Sequence, residues 1–159
     1  MLIARTAYAT TQPSVTAAGS DTVVTTTHNI NLSTTGGQET PIITVTFPTA
    51  STPEHYVIAA QGDLVNFGPS DYTRCELVVG TSTIANVSTI VGSPTAKGSM
   101  GPAGYLSPFA LTGGATVPAS GGTAMLECDH DNTDGATPYV DSDASVWAHN
   151  AASLTTGTE

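Results

Sequence analysis

Basic side chains are almost missing from this sequence. Arg5, Arg74 and Lys97 are the only Lys or Arg residues, set against 13 Asp and Glu for a formal net charge of −10. A chain that grips nucleic acid must neutralise phosphates with such side chains, so nucleic acid is excluded as a partner. The same shortage argues against an anionic membrane surface. Long apolar runs are also missing, so no segment reaches transmembrane length and no membrane partner is expected. The opening Met1-Leu2-Ile3-Ala4-Arg5, followed by Thr and Ala, lacks the apolar stretch of a secretory signal, and synthesis in a host cytoplasm without a signal peptide is expected.

Catalytic signatures are absent too. There is no G-x-S-x-G elbow and no H-E-x-x-H, so the chain is not expected to be an enzyme. Two cysteines and four scattered histidines are too few for a tetrahedral zinc site. His28, His55, His130 and His149 fall in different strand segments or at their ends, where hydrogen-bonded strand or interface roles are expected. The sequons at Asn31 and Asn86 need a secretory route that the N-terminus does not supply. Helix formers are scarce.

What is present suits sheets. Thr, Val, Ala, Ser and Gly dominate, and 16 Gly and 10 Pro fall mostly between apolar runs, as expected of many short strands joined by turns. The length, 159 residues, is enough for one sandwich core but not two. From Thr40 the alternation is regular: Ile43, Val45 and Phe47; Tyr56, Ile58 and Ala60; Cys75, Leu77 and Val79. A hairpin at Gly80-Thr81-Ser82 leads into residues 84–91, and further strands are expected over 105–111, 115–117, 123–130 and 144–154. The fold class read from this pattern is all-β, a jelly-roll β-sandwich with an extended N-terminal arm. The arm spans 1–38 and contains one strand, the sandwich spans 39–154, and 155–159 form a tail.

Three features carry candidate chemistry. In the arm, Val24, Ile30 and Leu32 share one face at period two; with Leu2, Ile3 and Tyr8 they are candidate partner-binding anchors. In Asp129-His130-Asp131-Asn132-Thr133-Asp134-Gly135, alternating carboxylates at Asp129, Asp131 and Asp134 resemble a Ca²⁺ loop, although Asp134 precedes the Gly and no terminal Glu follows. A hairpin loop of turn-forming Asp, Asn and Gly is the alternative, with no cofactor needed. Cys75 and Cys128 lie in alternating segments. They form either a disulfide or two buried thiols, and both remain open at this point. With few cations there are few ion pairs to lose, so little acid destabilisation is expected.

Four stretches, His55-Tyr56-Val57-Ile58-Ala59-Ala60, Cys75-Glu76-Leu77-Val78-Val79-Gly80, residues 117–128 and Ser145-Val146-Trp147-Ala148, resemble the tumour-necrosis-factor and complement globular-head superfamily. The likeness is closest to the small bacterial and phage jelly rolls similar to it, and it covers about residues 40–154. The Gly-Asp common in that family is Gly121-Gly122 here, and no collagen-like stalk precedes the domain. The resemblance implies a trimer. An exposed face carrying Trp147, Val146 and the Tyr56 strand would otherwise leave too large an apolar patch.

The functional expectation combines these readings. An acidic, hydroxyl-rich surface, a partner-seeking arm and a jelly roll suggest a virion structural protein: a homotrimeric decoration (cement) protein on the capsid exterior, bound to the major capsid protein by strand addition. The alternative is a receptor- or carbohydrate-binding head of a phage fibre or bacterial adhesin. That head would use the loops at 92–104 and 129–143, with Tyr105, Tyr139 and Trp147 as stacking surfaces.

Overall fold

Alternating apolar side chains can be buried only if each strand lays one face on a second sheet, and two sheets are what form. The structure, a computed structural model, describes residues 12–16, 21–66, 72–90, 106–131 and 137–155. Its strands are β1 (Ser14–Thr16), β2 (Asp21–Thr25), β3 (Ile30–Asn31), β4 (Thr40–Phe47), β5 (Glu54–Val65), β6 (Tyr72–Val79), β7 (Ser82–Ile90), β8 (Leu106–Val117), β9 (Gly122–His130), β10 (Tyr139–Val140) and β11 (Ser145–Ala151). One sheet, here called A, runs β1-β4-β9-β6-β7. The other, sheet B, has β5 at its centre, with β8 on one edge and β11 then β2 on the other. The short β10 and β3 continue the lines of β11 and β2.

Without the short strands, the order is β4-β9-β6-β7 over β8-β5-β11-β2. Along the chain every strand crosses to the opposite sheet except β6 to β7, which pair as a hairpin. This alternation is the jelly-roll topology of two interlocked Greek keys. Among the described residues all pairings are antiparallel except β1 with β4.

The core lies between the sheets. Ile43, Val45, Leu77 and Leu126 of sheet A face Ile58, Ala60, Leu111, Val117 and Val146 of sheet B, and all are buried. Phe47 and Tyr56 join the layers with ring centroids 4.4 Å apart and planes tilted by 43°. Tyr56 keeps its hydroxyl satisfied by donating to Glu54 Oε2 at 2.7 Å. Leu126 sits in register between Ile43 and Leu77 with no exposed surface. Leu126→Ala is expected to cost about 3 kcal/mol, through lost transfer energy and the cavity left in a layer hemmed by strands on both sides. Urea unfolding would measure it; a loss below about 1 kcal/mol would show that the layer collapses onto the gap.

Several expectations change here. The strands expected at 105–111 and 115–117 run as one, β8, straight through Gly113-Gly114. Position 113 faces inward, where a Cβ would come within 2.8 Å of the Ile84 carbonyl oxygen, so a glycine is what lets β8 approach β7. Tyr56 and Val146, expected on an exposed face, point into the core; only Trp147 of that group faces outward and is half-buried.

The arm is revised most. From residue 14 onward its described residues supply β1, β2 and β3 to the sheets, so they belong to the sandwich. Val24, Ile30 and Leu32, expected to anchor a partner, are corrected by this packing: they fill the chain's own core at 8%, 3% and 3% exposure. The segment between β3 and β4 is stitched down as well. His130 Nε2 donates to the Ser33 carbonyl at 2.7 Å, and Gly37 N–H donates to the His130 carbonyl at 2.7 Å. Leu2, Ile3 and Tyr8 lie outside the described residues.

Candidate functional site

The side chains that alternate outward give the sandwich two very different surfaces. On sheet A, the disulfide between Cys75 and Cys128, buried and joining β6 to β9 in register, determines what flanks it. Arg74 stands opposite Asp129, and Glu76 opposite Glu127. Arg74 Nη1 donates to Asp129 Oδ2 at 3.0 Å, and Nη2 donates to Asp131. Two of the three carboxylates read as a Ca²⁺ loop therefore already hold a cation, the guanidinium. Asp134 lies outside the described residues. Among the described residues no group of three acidic, His or Cys side chains is placed to hold a metal ion.

Glu76 and Glu127 face each other with like charge, which costs energy in a cross-strand pair. Thr83 Oγ1 relieves Glu76 by donating to Oε2 at 2.8 Å. Burial, then the charge of Glu76, pushes the Glu127 carboxyl up. Glu39, just before β4, is raised to about 7 by burial of its carboxyl and then by Asp129, Glu127 and Glu76, against the opposing pull of Arg74. Both acids bind protons more tightly folded than unfolded. The stabilising contribution of Glu39 is thus present below the unfolded carboxylate range and is lost as pH rises through about 7.

Acidification from pH 8 to 5 is therefore expected to raise the melting temperature. Because the Glu39 residue is exposed and solvent screens it, its share is discounted to about 1 kcal/mol, a few degrees. Glu39→Gln should flatten the profile. A melting temperature that falls over this window would contradict the assignment.

The middle of the outer face of sheet B carries little charge, with Asp21 at one corner and Asp63 towards the far end of β5. Its central rows read Thr112, Ala59, Trp147 and Val23, then Gly114, Val57, His149 and Asp21 across the strands. Val23 and Val57 are 57% and 38% exposed, and Ala59 and Trp147 are half-buried beside them. Leu154 covers the β8 end of the face, lying against Gly114 where a Cβ would come 3.2 Å from its Cδ2. The charged groups of these rows are confined to one corner, where His149 Nδ1 pairs with Asp21. His55 Nδ1 bonds Thr116 Oγ1 at 2.9 Å along the next row. This is a flat surface of small and apolar side chains around one indole, suited to burial against another flat surface.

Of the residues expected to form stacking surfaces, Trp147 is on this face, Tyr139 pairs with Asn31 and Val65, and Tyr105 lies outside the described residues. The sequence reading missed Arg74 as the partner of Asp129. Its signal was in the register: once Cys75 faces Cys128, antiparallel pairing puts 74 opposite 129 and 76 opposite 127.

No family model matches the chain, and no curated protein sequence matches it. The fold is similar to solved structures of infectious bursal disease virus. For the VP2 subviral particle the TM-score is 0.45 at 9% identity, covering 82% of this chain and 32% of that one. For the Gx strain the values are 0.47, 7%, 81% and 32%, and for the Gt strain 0.41, 7%, 82% and 33%. This chain spans about a third of the length of those proteins. At such identity no site residue is carried across. No helix of the described residues is long and apolar enough to cross a membrane.

Proposed function

We propose that this chain is a virion structural protein, a trimeric decoration (cement) protein that binds the major capsid protein on the outside of a phage shell, and that it assembles through the outer face of sheet B. The observation that carries this reading is the contrast between the two faces. Chains of net charge −10 repel one another. Contact is least opposed where the carboxylates are fewest, around Val23, Val57, Ala59 and Trp147. The face bearing Glu39, Glu76 and Glu127 would then stay in solvent, where it keeps particles apart. Leu2, Ile3 and Tyr8 are additional anchors in this proposal, reaching onto the shell from ahead of β1.

Sedimentation velocity on Val57→Lys tests the proposal, together with co-sedimentation on undecorated capsids. Val57 is exposed, so a lysine there leaves the core intact while placing a charge in the centre of the face. The wild type is expected to sediment as a trimer at micromolar concentration. The variant should dissociate and bind shells at least tenfold more weakly, about 1.4 kcal/mol. A monomeric wild type, or a variant that binds as well as the wild type, would overturn the reading.

A further inference from the structure

The long strand β5 is paired on its outer edge by β11 as far as Gln61 and by β10 from Leu64. Opposite Gly62 and Asp63 the partner strand breaks into the turn Asp141–Ala144. An open depression of about 320 Å³ lies there, lined by Gln61, Asp63, Phe109, Ser142 and Asp143, with Gly62 and Pro108 between them. Its size falls at the lower end of small-molecule sites.

The wall is rigid. Asp141 N–H donates to the Asp63 carbonyl at 2.9 Å, Ser142 N–H donates to Asn29 Oδ1 at 3.0 Å and Asp143 N–H donates to the Thr26 carbonyl at 3.1 Å. Thr26 N–H returns a bond to the Ala144 carbonyl at 2.8 Å. Asp143 has φ +75°, and among the described residues it is the one non-glycine in the left-handed region. Asp is among the residues that enter this region most readily, and the turn is tied to its surroundings by these four hydrogen bonds. Gly62 has a packing reason too. A Cβ there would come 2.9 Å from Ala144 Cβ and 3.0 Å from the Phe109 ring, so glycine lets that ring close the bottom.

We propose that this depression binds a neutral saccharide, whose hydroxyls are held by Gln61, Asp63, Ser142 and Asp143. The side chains decide the class. Carboxylates at Asp63 and Asp143 accept; the Gln61 amide and Ser142 hydroxyl both donate and accept. An ammonium ion would satisfy only the acceptors, since it donates and accepts nothing. No group of three His, Cys, Asp or Glu side chains placed to hold a metal ion exists among the described residues. An acidic sugar would be repelled, because the only described basic side chain, Arg74, is engaged on the other sheet. Of these classes, neutral hydroxyls match the whole set. The site lies beside the assembly face and does not depend on the structural reading above.

The test is a ¹H–¹⁵N NMR titration of the full chain with methyl glycosides of glucose, galactose, mannose and N-acetylglucosamine, with spermidine and sialic acid as charged controls. At least one neutral glycoside should give saturable shifts confined to Gln61–Asp63, Phe109 and Ser142–Ala144, with Kd in the range of about 1 mM for a shallow site. Asp63→Asn and Gln61→Ala should each weaken binding tenfold or more. Shell co-sedimentation should be unaffected by either, which separates this proposal from the assembly reading. Absence of saturable shifts with every glycoside, shifts elsewhere on the sandwich, binding of spermidine alone, or variants that bind normally would each overturn it.

Discussion

A chain that begins at Glu39 is expected not to fold. Removing 1–38 takes away Val24, Ile30 and Leu32, which are buried in the core, and with them β1, β2 and β3. Burial of three such side chains contributes about 5–9 kcal/mol at roughly 1.5–3 kcal/mol each. That is comparable with the whole stability of a typical domain, about 5–15 kcal/mol. The loss goes further, because β2 pairs with β11 over five positions and His130 would lose its bond to the Ser33 carbonyl. The truncated chain should show no cooperative melting transition. Removing only 1–11 spares every described strand and should leave the transition within a few degrees of wild type, so any loss of shell binding in that shorter deletion reports on the proposed anchors Leu2, Ile3 and Tyr8. A folded, cooperatively melting chain from Glu39 onward would mean that the first three strands are dispensable to the sandwich.

Breaking the Cys75–Cys128 bond is expected to have the next largest effect. The bond closes a loop with a sequence separation of 53, for which unfolded-chain entropy gives about 4 kcal/mol. Cys75→Ala with Cys128→Ala should therefore lower the melting temperature by roughly 10 °C in a domain of this size. Both sulfurs are fully buried, so a reductant should act slowly under native conditions and quickly once the chain is partly unfolded. Such a bond persists in oxidising surroundings. Peptide mapping with and without reduction, alongside the melting curves, checks both points. Identical curves for the double variant and wild type would show that the bond contributes nothing to the folded chain.

Much of the architecture was legible because its signals are local. A side chain at every second position takes the same face of a strand whatever that strand pairs with, so Ile43, Val45 and Phe47 declare an inward face without any knowledge of their neighbours. The scarcity of cations, the turn residues between runs and the hairpin at Gly80 are local in the same sense. For the candidate site, Trp147 was expected on an exposed face, and the cysteine pair held the register that brings Arg74 to Asp129.

Strand pairing is where local information ends. Val24, Ile30 and Leu32 showed a correct apolar face, but an apolar face is equally consistent with a partner's groove and with the chain's own core. Only closure of sheet B by β11, more than a hundred residues later, chose the core. The same limit applied to Asp129 and Asp131. Their spacing suggested a cation, and the cation proved to be a guanidinium 55 residues upstream of Asp129. The depression beside Gly62 was invisible for a similar reason, since it exists because β10 and β11 leave a gap opposite β5. Which residues extend, the alternation of faces along each strand and the scarcity of positive charge follow from side-chain chemistry and the two-residue period of a strand. Tertiary structure alone decided which strands are neighbours and which polar groups meet, because backbone hydrogen bonds are the same for every sequence and the choice among partners is made only when both sheets close over one core.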